Sequence, residues 1–464
     1  MRAALLGIRH GFRNILGVLR LTGIFLTPFL WAVCAYKASA QDIDFPLRAA
    51  VQRSYLEDSQ GQPFLITGDS AWSMIADLSL AETELYLDTR RQQGFNSILT
   101  SLIEHKFARN APANFYREPP FIGDAFDQPN EAYFQRAEAI IEAAWRRNML
   151  VLLCPAYLGA DGQAEGWYQE MVAAGAEQLE AYGRYVGRRF GRFPNIIWVQ
   201  GGDYDPPDKT LVNAIAEGIE AEAPNALQTV HSNRDTVTSV FWSNAEWLRL
   251  DTVYTYDDVG AAVVARRNLG PVRPFFLIEA RYEAEHGIGE SEIRLAAYGA
   301  LLSGAGGQVF GNNPVWHFSS AGLFESPLTW RQALASPGAR SITALAKLFS
   351  GLDWWKLVPD QGALLKTAGG GSGEAFAARD VEGQFALIYV RDRPAVVLDL
   401  DGLARGKKEL RWYDPSSGSF LADTEHFEGG GVQNVAVPGK ANRSGFHDWV
   451  GILANDDHPL GVNR

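Results

Sequence analysis

A short apolar run that ends abruptly in glycines and a carboxylate constrains this chain most. Residues 196–199 are all apolar, and Gln200, Gly201, Gly202 and Asp203 follow them. An apolar run bounded by glycine is typical of a buried parallel strand, which is covered on both faces and therefore shows no alternation. Because the glycines permit a tight turn, the Asp203 carboxyl is predicted at the carboxyl end of this strand.

Similar runs recur along the chain and alternate with segments that have helical spacing. The apolar residues 275–278 lead into Glu279 in the same way. The other predicted strands are residues 64–67, 95–100, 150–153, 227–231, 251–256 and 307–311. Eight strands, each followed by a helix or a long loop, predict an α/β fold of the (β/α)₈ TIM barrel type over residues 41–355.

The pattern changes near Pro359, where short alternating segments are separated by glycines and turns. Residues 385–390, 395–398, 410–413 and 435–437 are the clearest strands. They predict a small C-terminal all-β sandwich domain over residues 356–464. Trp354 and Trp355 lie between the two predicted domains and are expected to bury apolar surface there, because adjacent tryptophans rarely stay exposed.

The N-terminus has the composition of a secretory signal peptide. Four arginines precede an apolar run over residues 21–36, and Ala38, Ser39 and Ala40 follow. This order predicts a signal peptide over residues 1–40, cleavage before Gln41 and export to the periplasm or medium. A membrane anchor is the alternative, but the run carries Pro28 and is shorter than the ~20 residues a span needs.

Charge and cysteine content exclude several classes of protein. Removing the five basic residues of the signal peptide would change the net charge from −12 to −17. A surface this acidic argues against nucleic acid and anionic membranes as partners. Without Cys34 only Cys154 remains, so an intrachain disulfide is impossible and a buried structural thiol is expected.

The predicted strand tips supply carboxylates, amides and aromatic rings, which are the groups that a sugar site needs. The candidates are Asp69, Trp72, Asn96, Glu104, His105, Tyr157, Gln200, Asp203, His231, Tyr254, Tyr256, Glu279, Asn312, Trp316 and His317. Since strand C-termini form one face of a barrel, these side chains are expected to converge there. No HExxH motif or Cys/His cluster is present, so neither a catalytic metal nor a cofactor is predicted.

Other interpretations of the two carboxylates stay open at this point. Asp203 could cap the helix that follows Pro207, and Glu279 could pair with Arg281. Asp203, Asp205 and Asp208 could also form a cation-binding loop.

Several motifs together resemble the apiosidase-like glycoside hydrolases, a family of barrel enzymes. They are residues 68–72, 94–96, 200–203, 278–279 and 311–318. The tail, with residues 412–415 and Trp449, resembles the β-sandwich usually attached to this barrel, which carries a collagen-binding label. The resemblance covers nearly the whole mature chain. Residues 102–107 and 112–120, in the second βα loop, differ from the family pattern and suggest a separate branch.

The resemblance implies a secreted glycosidase with Asp203 as acid/base and Glu279 as nucleophile. The hypothesis is a retaining exo-hydrolase for a terminal apiose-like or other pentofuranosyl residue of a plant or bacterial polysaccharide. Gln200, Asn96 and Asn312 would orient sugar hydroxyls, and Trp72, Tyr256 and Trp316 would form the pocket wall.

Two alternatives belong to other classes of protein. A carbohydrate-binding barrel without catalysis would bind sugar with no turnover. A matrix-binding adhesin would retain collagen through residues 360–464.

Overall fold

The computed structural model describes residues 43–270, 272–318, 325–366 and 374–456. The predicted signal peptide lies outside these residues. Within them, eight parallel strands with surrounding helices precede a region of antiparallel strands, which confirms the predicted fold class. No helix in the described ranges is both long and apolar enough to cross a membrane.

The barrel strands occur where the apolar runs predicted them. They are β1 Ile66–Ser70, β2 Ser97–Ser101, β3 Leu150–Cys154, β4 Ile196–Gly201, β5 Leu227–His231, β6 Asp251–Tyr254, β7 Phe275–Glu279 and β8 Gly307–Phe310. Their order in the sheet is β5-β4-β3-β2-β1-β8-β7-β6, and all pairs are parallel. Thr252 Oγ1 of β6 donates to the Val230 carbonyl of β5 at 2.6 Å, which shows that the two edge strands lie beside each other. The sheet is therefore a nearly closed barrel.

Helices cover the outside of the barrel. They are α1 Met74–Asp77, α2 Leu80–Gln92, α3 Glu131–Arg146, α4 Tyr168–Phe190, α5 Thr210–Glu222, α6 Thr238–Phe241, α7 Val259–Arg267, α8 Glu290–Leu302, α9 Trp330–Ala333 and α10 Pro337–Ser350. Gly175 has a non-helical φ of 77° and interrupts α4. Asn130 caps α3 as its sequence predicts, by accepting from the Ala132 N–H at 3.2 Å.

Alternation along each strand decides which side chains face the barrel interior. Ile197 and Val199 pack inside with residues of the other strands, while Trp198 packs outward against the helices. Successive side chains of a strand point to opposite faces. By this rule Gly201 faces inward, whereas Gln200 faces the helix layer.

The C-terminal region is a β-sandwich. Its strands are β9 Leu357–Pro359, β10 Leu365–Lys366, β11 Glu374–Asp380, β12 Phe385–Arg391, β13 Ala395–Asp399, β14 Lys408–Asp414, β15 Ser419–Phe427, β16 Val432–Ala436 and β17 Asp448–Asn455. One sheet has the order β9-β11-β12-β17-β14-β15 and the other β10-β13-β16. Apolar side chains of both sheets, such as Ile388 and Leu398, form a common core.

A buried ion pair joins the sandwich to the barrel. Arg294 of α8 donates to both carboxylate oxygens of Asp448 in β17, at 2.6 and 2.8 Å, and both side chains are almost fully buried. The Tyr389 hydroxyl also donates to Asp448, and the Tyr389 ring stacks on Tyr298 at 5.0 Å. Since every Asp448 oxygen has a donor, the charge of this carboxylate is compensated inside the interface.

Asp448→Ala is expected to lower the free energy of unfolding by about 3–5 kcal/mol, because it leaves a buried guanidinium with fewer partners. Asp423→Ala removes an exposed carboxylate of the same sandwich and serves as the control. Urea denaturation measures both variants. Equal stability of the two would show that the ion pair does not hold the domains together.

The tryptophan pair between the domains is less buried than its sequence predicts. Trp354 and Trp355 lie in a 3₁₀ turn, Trp354–Lys356, and each ring is only partly buried. Trp354 contacts Tyr55 edge-on at 5.5 Å between ring centres. The pair therefore borders a cavity and does not fill the interface.

Candidate active site

A cavity of about 520 Å³ opens at the carboxyl ends of the barrel strands. Seven predicted residues line it: Trp72, Glu104, Tyr157, Asp203, Tyr256, Glu279 and Trp316. Among those that the sequence did not indicate are Ser101, Phe107, Glu165, Arg234, Arg281, Tyr282 and Glu285. Its size and mixed lining are typical of a small-molecule site.

The two glycines after β4 place Asp203 in this cavity. Gly201, Gly202 and Asp203 have φ values of 81°, 126° and 52°, so three successive residues take up positive φ. A Cβ on Gly202 would lie 2.3 Å from the Tyr157 ring, so only glycine fits there. Asp203 tolerates its φ because Asp and Asn are enriched in the left-handed region. The turn therefore directs the Asp203 carboxyl into the cavity.

The environment of Asp203 favours its protonated form. Burial and the negative charge of Glu279 raise the pKa of Asp203 to about 6, although His231 and the Tyr157 hydroxyl favour ionisation. Tyr157 donates to Asp203 Oδ2 at 2.8 Å. A carboxyl that keeps its proton up to about pH 6 can act as a general acid.

An irregularity between two strands directs Glu279 to the same cavity. Val253 pairs with Leu277, but the next residue, Tyr254, pairs with Glu279. The extra residue in β7, Ile278, shifts the register, and such a bulge turns the side chain that follows it. Glu279 thus reaches the cavity from the last position of its strand.

Three donors hold the Glu279 carboxylate. Tyr256 OH donates to Oε1 at 2.9 Å, Tyr282 OH donates to Oε2 at 3.1 Å, and His231 Nε2 lies 3.1 Å from Oε2. Hydrogen bonds to the charged form of a carboxyl group stabilise that form. The three contacts fix the orientation of the Glu279 carboxyl group.

His231 connects the two carboxyl groups. Its Nδ1 accepts from the Asp203 backbone N–H at 3.3 Å, which leaves the Nε2 proton to be donated to Glu279. Burial opposes the charged imidazolium, but the hydrogen bond to Glu279 and the charge of Asp203 raise the pKa of His231. One oxygen of each carboxyl group and a ring nitrogen of His231 all lie within 4.8 Å of one another.

The same three residues have the spacing of a metal site. Both His231 nitrogens are already engaged, and both Glu279 oxygens accept hydrogen bonds. Hydrogen bonding thus accounts for the spacing without an ion.

Two predicted residues face the helix layer because of strand alternation. Asp69 is fully buried and accepts from Arg90 Nε at 2.7 Å and Tyr86 OH at 2.6 Å. Gln200 donates to Gln228 Oε1 at 2.9 Å and is also buried. The expectation that both contact substrate is corrected. Asp69 bonds to helix α2, and Gln200 bonds to Gln228 of β5, which donates in turn to a carbonyl of helix α5.

Asn96 lies at the opposite end of the barrel. It precedes β2, donates to the Leu65 carbonyl and accepts from the Thr67 N–H. Both bonds are at the amino ends of the strands, so the proposed hydroxyl-binding role of Asn96 is wrong. Asn96 is also the second residue of the predicted strand 95–100, so the sequence itself places it away from the strand tip.

Three more candidates are held near the cavity but outside its lining. Asn312 donates to Glu283 at 2.8 Å, His317 contacts Asn313 at 2.8 Å, and His105 contacts Glu170 at 3.0 Å. Burial lowers the pKa of His317 to about 4, so it is neutral. The structure gives these side chains protein partners and does not bring them to the cavity.

Glu104 lines the cavity, but its carboxylate organises the second βα loop. Its Oε1 accepts the N–H groups of His105, Lys106 and Phe107, and its Oε2 accepts from Ser73. This loop places Phe107 against Trp316, with ring centres 5.2 Å apart.

Aromatic residues form the cavity wall. Trp72 lies 5.6 Å from Tyr157 and 5.5 Å from His231 between ring centres. Tyr254, behind the lining, lies 4.9 Å from His231. The aromatic candidates therefore surround the carboxyl pair, either directly or from the layer behind it.

Two further residues of the site, Tyr282 and Glu285, lie in the loop that follows β7. Tyr282 contacts Glu279, Ser70 and Trp72 through its hydroxyl, at 2.9–3.1 Å. Glu285 accepts from Trp316 Nε1 at 2.7 Å, and burial raises its pKa to about 7. Both follow Glu279 within six residues, and this position after a strand tip is the sequence signal that indicates them as site residues.

The alternatives for the two carboxylates do not hold in the described structure. Helix α5 begins at Thr210, well beyond Asp203, and Arg281 Nε donates to the Tyr256 carbonyl at 2.5 Å. Asp205 accepts from the Asn233 N–H and Asp208 from the Thr210 N–H, so a cation is not needed to explain them.

The raised pKa of Asp203 predicts a stability change with a definite sign. Folding raises it from 3.8 to about 6, so this carboxyl destabilises the fold progressively as pH rises from about 4 to 6 and fully above that. Asp203→Asn keeps the positive φ without a charge. We expect it to stabilise the protein at pH 8 by on the order of 2–3 kcal/mol and to have little effect below pH 4. Urea denaturation at both pH values tests this, and a less stable variant at pH 8 would contradict it.

Comparisons with known proteins identify the family of each region. The family model described as "Apiosidase-like, catalytic domain" matches residues 50–356, and the one described as "Putative collagen-binding domain of a collagenase" matches residues 358–454. No protein of curated function matches the chain.

Many solved structures are similar to this chain, and two of them show the shared fold over most of its length. One, described as a glycoside hydrolase, is 22% identical with a TM-score of 0.77, over 90% of this chain and 100% of the other. The second is a glycoside hydrolase family 5 protein from Bacteroides vulgatus, also 22% identical, with a TM-score of 0.78 over 89% and 95%.

Proposed function

Since this chain belongs to the apiosidase-like family of glycoside hydrolases, we propose that it is a retaining exo-glycosidase. It would release a terminal apiose-like or other pentofuranosyl residue from a plant or bacterial polysaccharide. The observation that carries the proposal is the approach of Asp203 and Glu279 oxygens to within 4.8 Å. Retaining enzymes have carboxyl groups ~5–5.5 Å apart and inverting enzymes ~6.5–9.5 Å, so the spacing favours retention.

In the first step, Glu279 attacks the anomeric carbon while protonated Asp203 gives its proton to the leaving oxygen. The glycosidic C–O bond breaks as the glycosyl ester forms on Glu279. In the second step, Asp203, now ionised, removes a proton from water, which attacks the same carbon and releases Glu279. Configuration is retained because each step inverts it.

The hydrogen bonds around the pair support these roles. Tyr256, Tyr282 and His231 fix Glu279 and stabilise its charge before attack. Tyr157 holds Asp203 Oδ2. Asp203 Oδ1 has no hydrogen-bond partner among the described residues, and His231 Nδ1 faces it at the longer distance of 3.5 Å. The asymmetry favours Asp203 as acid and Glu279 as nucleophile.

Aromatic side chains around the cavity support action on a terminal sugar. Phe107 packs against Trp316 and Trp72 against Tyr157, and all four rings line the cavity. Such walls cover the C–H surface of a single sugar ring.

A panel of nitrophenyl pentofuranosides and hexosides, followed by plant and bacterial polysaccharides, tests the proposal. We expect monosaccharide release, with kcat/KM falling above about pH 6 as Asp203 loses its proton. Release of internal oligosaccharides alone would contradict exo action. Binding without turnover of any substrate would identify a carbohydrate-binding barrel.

Export of the protein is part of the proposal. It rests on the basic and apolar composition of residues 1–40. N-terminal sequencing of the protein from the cell envelope or medium should find Gln41 as the first residue. An intact Met1 would contradict cleavage.

A further inference from the structure

A second cavity, of about 360 Å³, lies at the other end of the barrel. Leu65, Phe275 and Gly306, which line it, lie at the amino ends of β1, β7 and β8. The 3₁₀ turn Trp354–Lys356 and strand β9 of the sandwich also contribute to the lining. The candidate active site lies at the carboxyl ends of the strands, where the chemistry of barrel enzymes takes place, so the two cavities are at opposite ends of the barrel.

The charge of this cavity is opposite to that of the protein. Arg53, Arg266, Arg267 and Arg273 line it, and no described lining residue is a carboxylate. The chain as a whole has a net charge of −12. Asp251, behind the lining, pairs with both Arg266 and Arg273. Asp251 is paired with two of the four guanidinium groups, so the lining keeps a net positive charge on an acidic protein.

One of these arginines is buried without full hydrogen bonding. Arg266 is 4% exposed, and its Nε has no hydrogen-bond partner among the described residues. Burial and the charge of Arg273 lower the pKa of Arg266 to about 10. An anion in the cavity would offset this repulsion and satisfy a buried donor.

Aromatic surface lies beside the guanidinium groups. Trp354 and Trp355 are partly exposed, line the cavity, and stand at right angles with ring centres 6.0 Å apart. Arg267 lies near Pro359 of β9. A Cβ placed on Gly304 would be in contact with both side chains, so the three residues meet at one point. An indole face binds the C–H surface of a sugar, and a guanidinium binds a carboxylate.

We propose that this cavity is a non-catalytic binding site for a carboxylate-bearing sugar residue of an acidic polysaccharide. The ring would lie against the Trp354–Trp355 pair and the carboxylate would contact the arginines. The site would bind an acidic polysaccharide to this protein, although the net negative charge of the rest of the protein repels that polysaccharide. The inference goes beyond the proposed catalysis and is tested by binding, so it stands or fails independently of hydrolysis.

Isothermal titration calorimetry of the full chain with digalacturonate tests the site. We expect binding that weakens at high salt because the charges are screened. Galactobiose, the neutral counterpart, should bind at least about tenfold more weakly, because a charge-assisted hydrogen bond is lost. No binding of digalacturonate, or equal binding of galactobiose, would overturn the proposal. A protein that binds sodium sulfate but does not bind digalacturonate would have only an inorganic anion site in this cavity. That result would also overturn the proposal.

Variants locate the binding. Arg267→Gln and Trp355→Ala alter partly exposed side chains, and each should weaken digalacturonate binding about tenfold or more. Arg188→Gln removes an exposed arginine elsewhere and should bind as the wild type does. Glu279→Ala should also bind normally, because it alters only the other cavity. Melting temperatures establish that each variant is folded. Unchanged binding in folded Arg267→Gln and Trp355→Ala, or lost binding in Glu279→Ala, would contradict the location.

Discussion

Glu279→Ala is expected to lower kcat/KM by on the order of 10⁴–10⁶-fold for every substrate, whatever its leaving group. Without this carboxylate no glycosyl ester forms, and Tyr256, Tyr282 and His231 have no group to orient. Glu279→Gln should fail equally, because an amide keeps the shape but is a poor nucleophile. Initial rates on nitrophenyl and natural substrates measure the loss.

Asp257→Asn is the matched control for Glu279. It alters an exposed carboxylate that lines the same cavity, so its kcat/KM should change less than about tenfold. Comparable losses in both variants would indicate a general electrostatic effect of the cavity and would contradict the role of Glu279.

Asp203→Ala is expected to depend strongly on the leaving group. For a sugar leaving group the loss should be about 10²–10⁴-fold, which is the usual contribution of general acid catalysis. For a nitrophenyl leaving group the first step should be nearly unaffected, because that group departs without a proton. The second step should slow, because water then lacks its base.

Pre-steady-state kinetics separate the two steps for Asp203→Ala. A burst of nitrophenol followed by slow turnover would match accumulation of the glycosyl enzyme. Equal losses for sugar and nitrophenyl leaving groups would show that Asp203 is not the acid.

Strand positions could be predicted because they depend on local sequence, whereas the roles of Asp203 and Glu279 followed from the family resemblance. An apolar run followed by glycines locates a strand and its turn, and this signal predicted Asp203 at the carboxyl end of β4, where the cavity opens. The direction of Asp69 and Gln200 could also have been derived, since inward and outward residues alternate along β1 and β4. The position of Asn96 could be derived as well, because the second residue of the predicted strand 95–100 lies at its amino end and not at its tip.

Other features depend on tertiary contacts that local sequence does not contain. The register shift that turns Glu279 inward requires β6 beside β7. Arg294 and Asp448 are 154 residues apart, and neither carries a local signal of pairing. Around the second cavity, Arg53 comes from a segment distant in sequence from Arg266, Arg267 and Arg273, so only the folded chain brings it to them.

The products formed with azide test the central claim most directly. Azide can occupy the space of the missing carboxylate in Asp203→Ala and in Glu279→Ala, and NMR gives the anomeric configuration of each glycosyl azide. Asp203→Ala should give the azide of retained configuration, because azide attacks the glycosyl enzyme. Glu279→Ala should give the inverted azide, because azide attacks the substrate directly. The opposite pair of products would exchange the two roles, and no azide product from either variant would contradict a covalent mechanism at this pair.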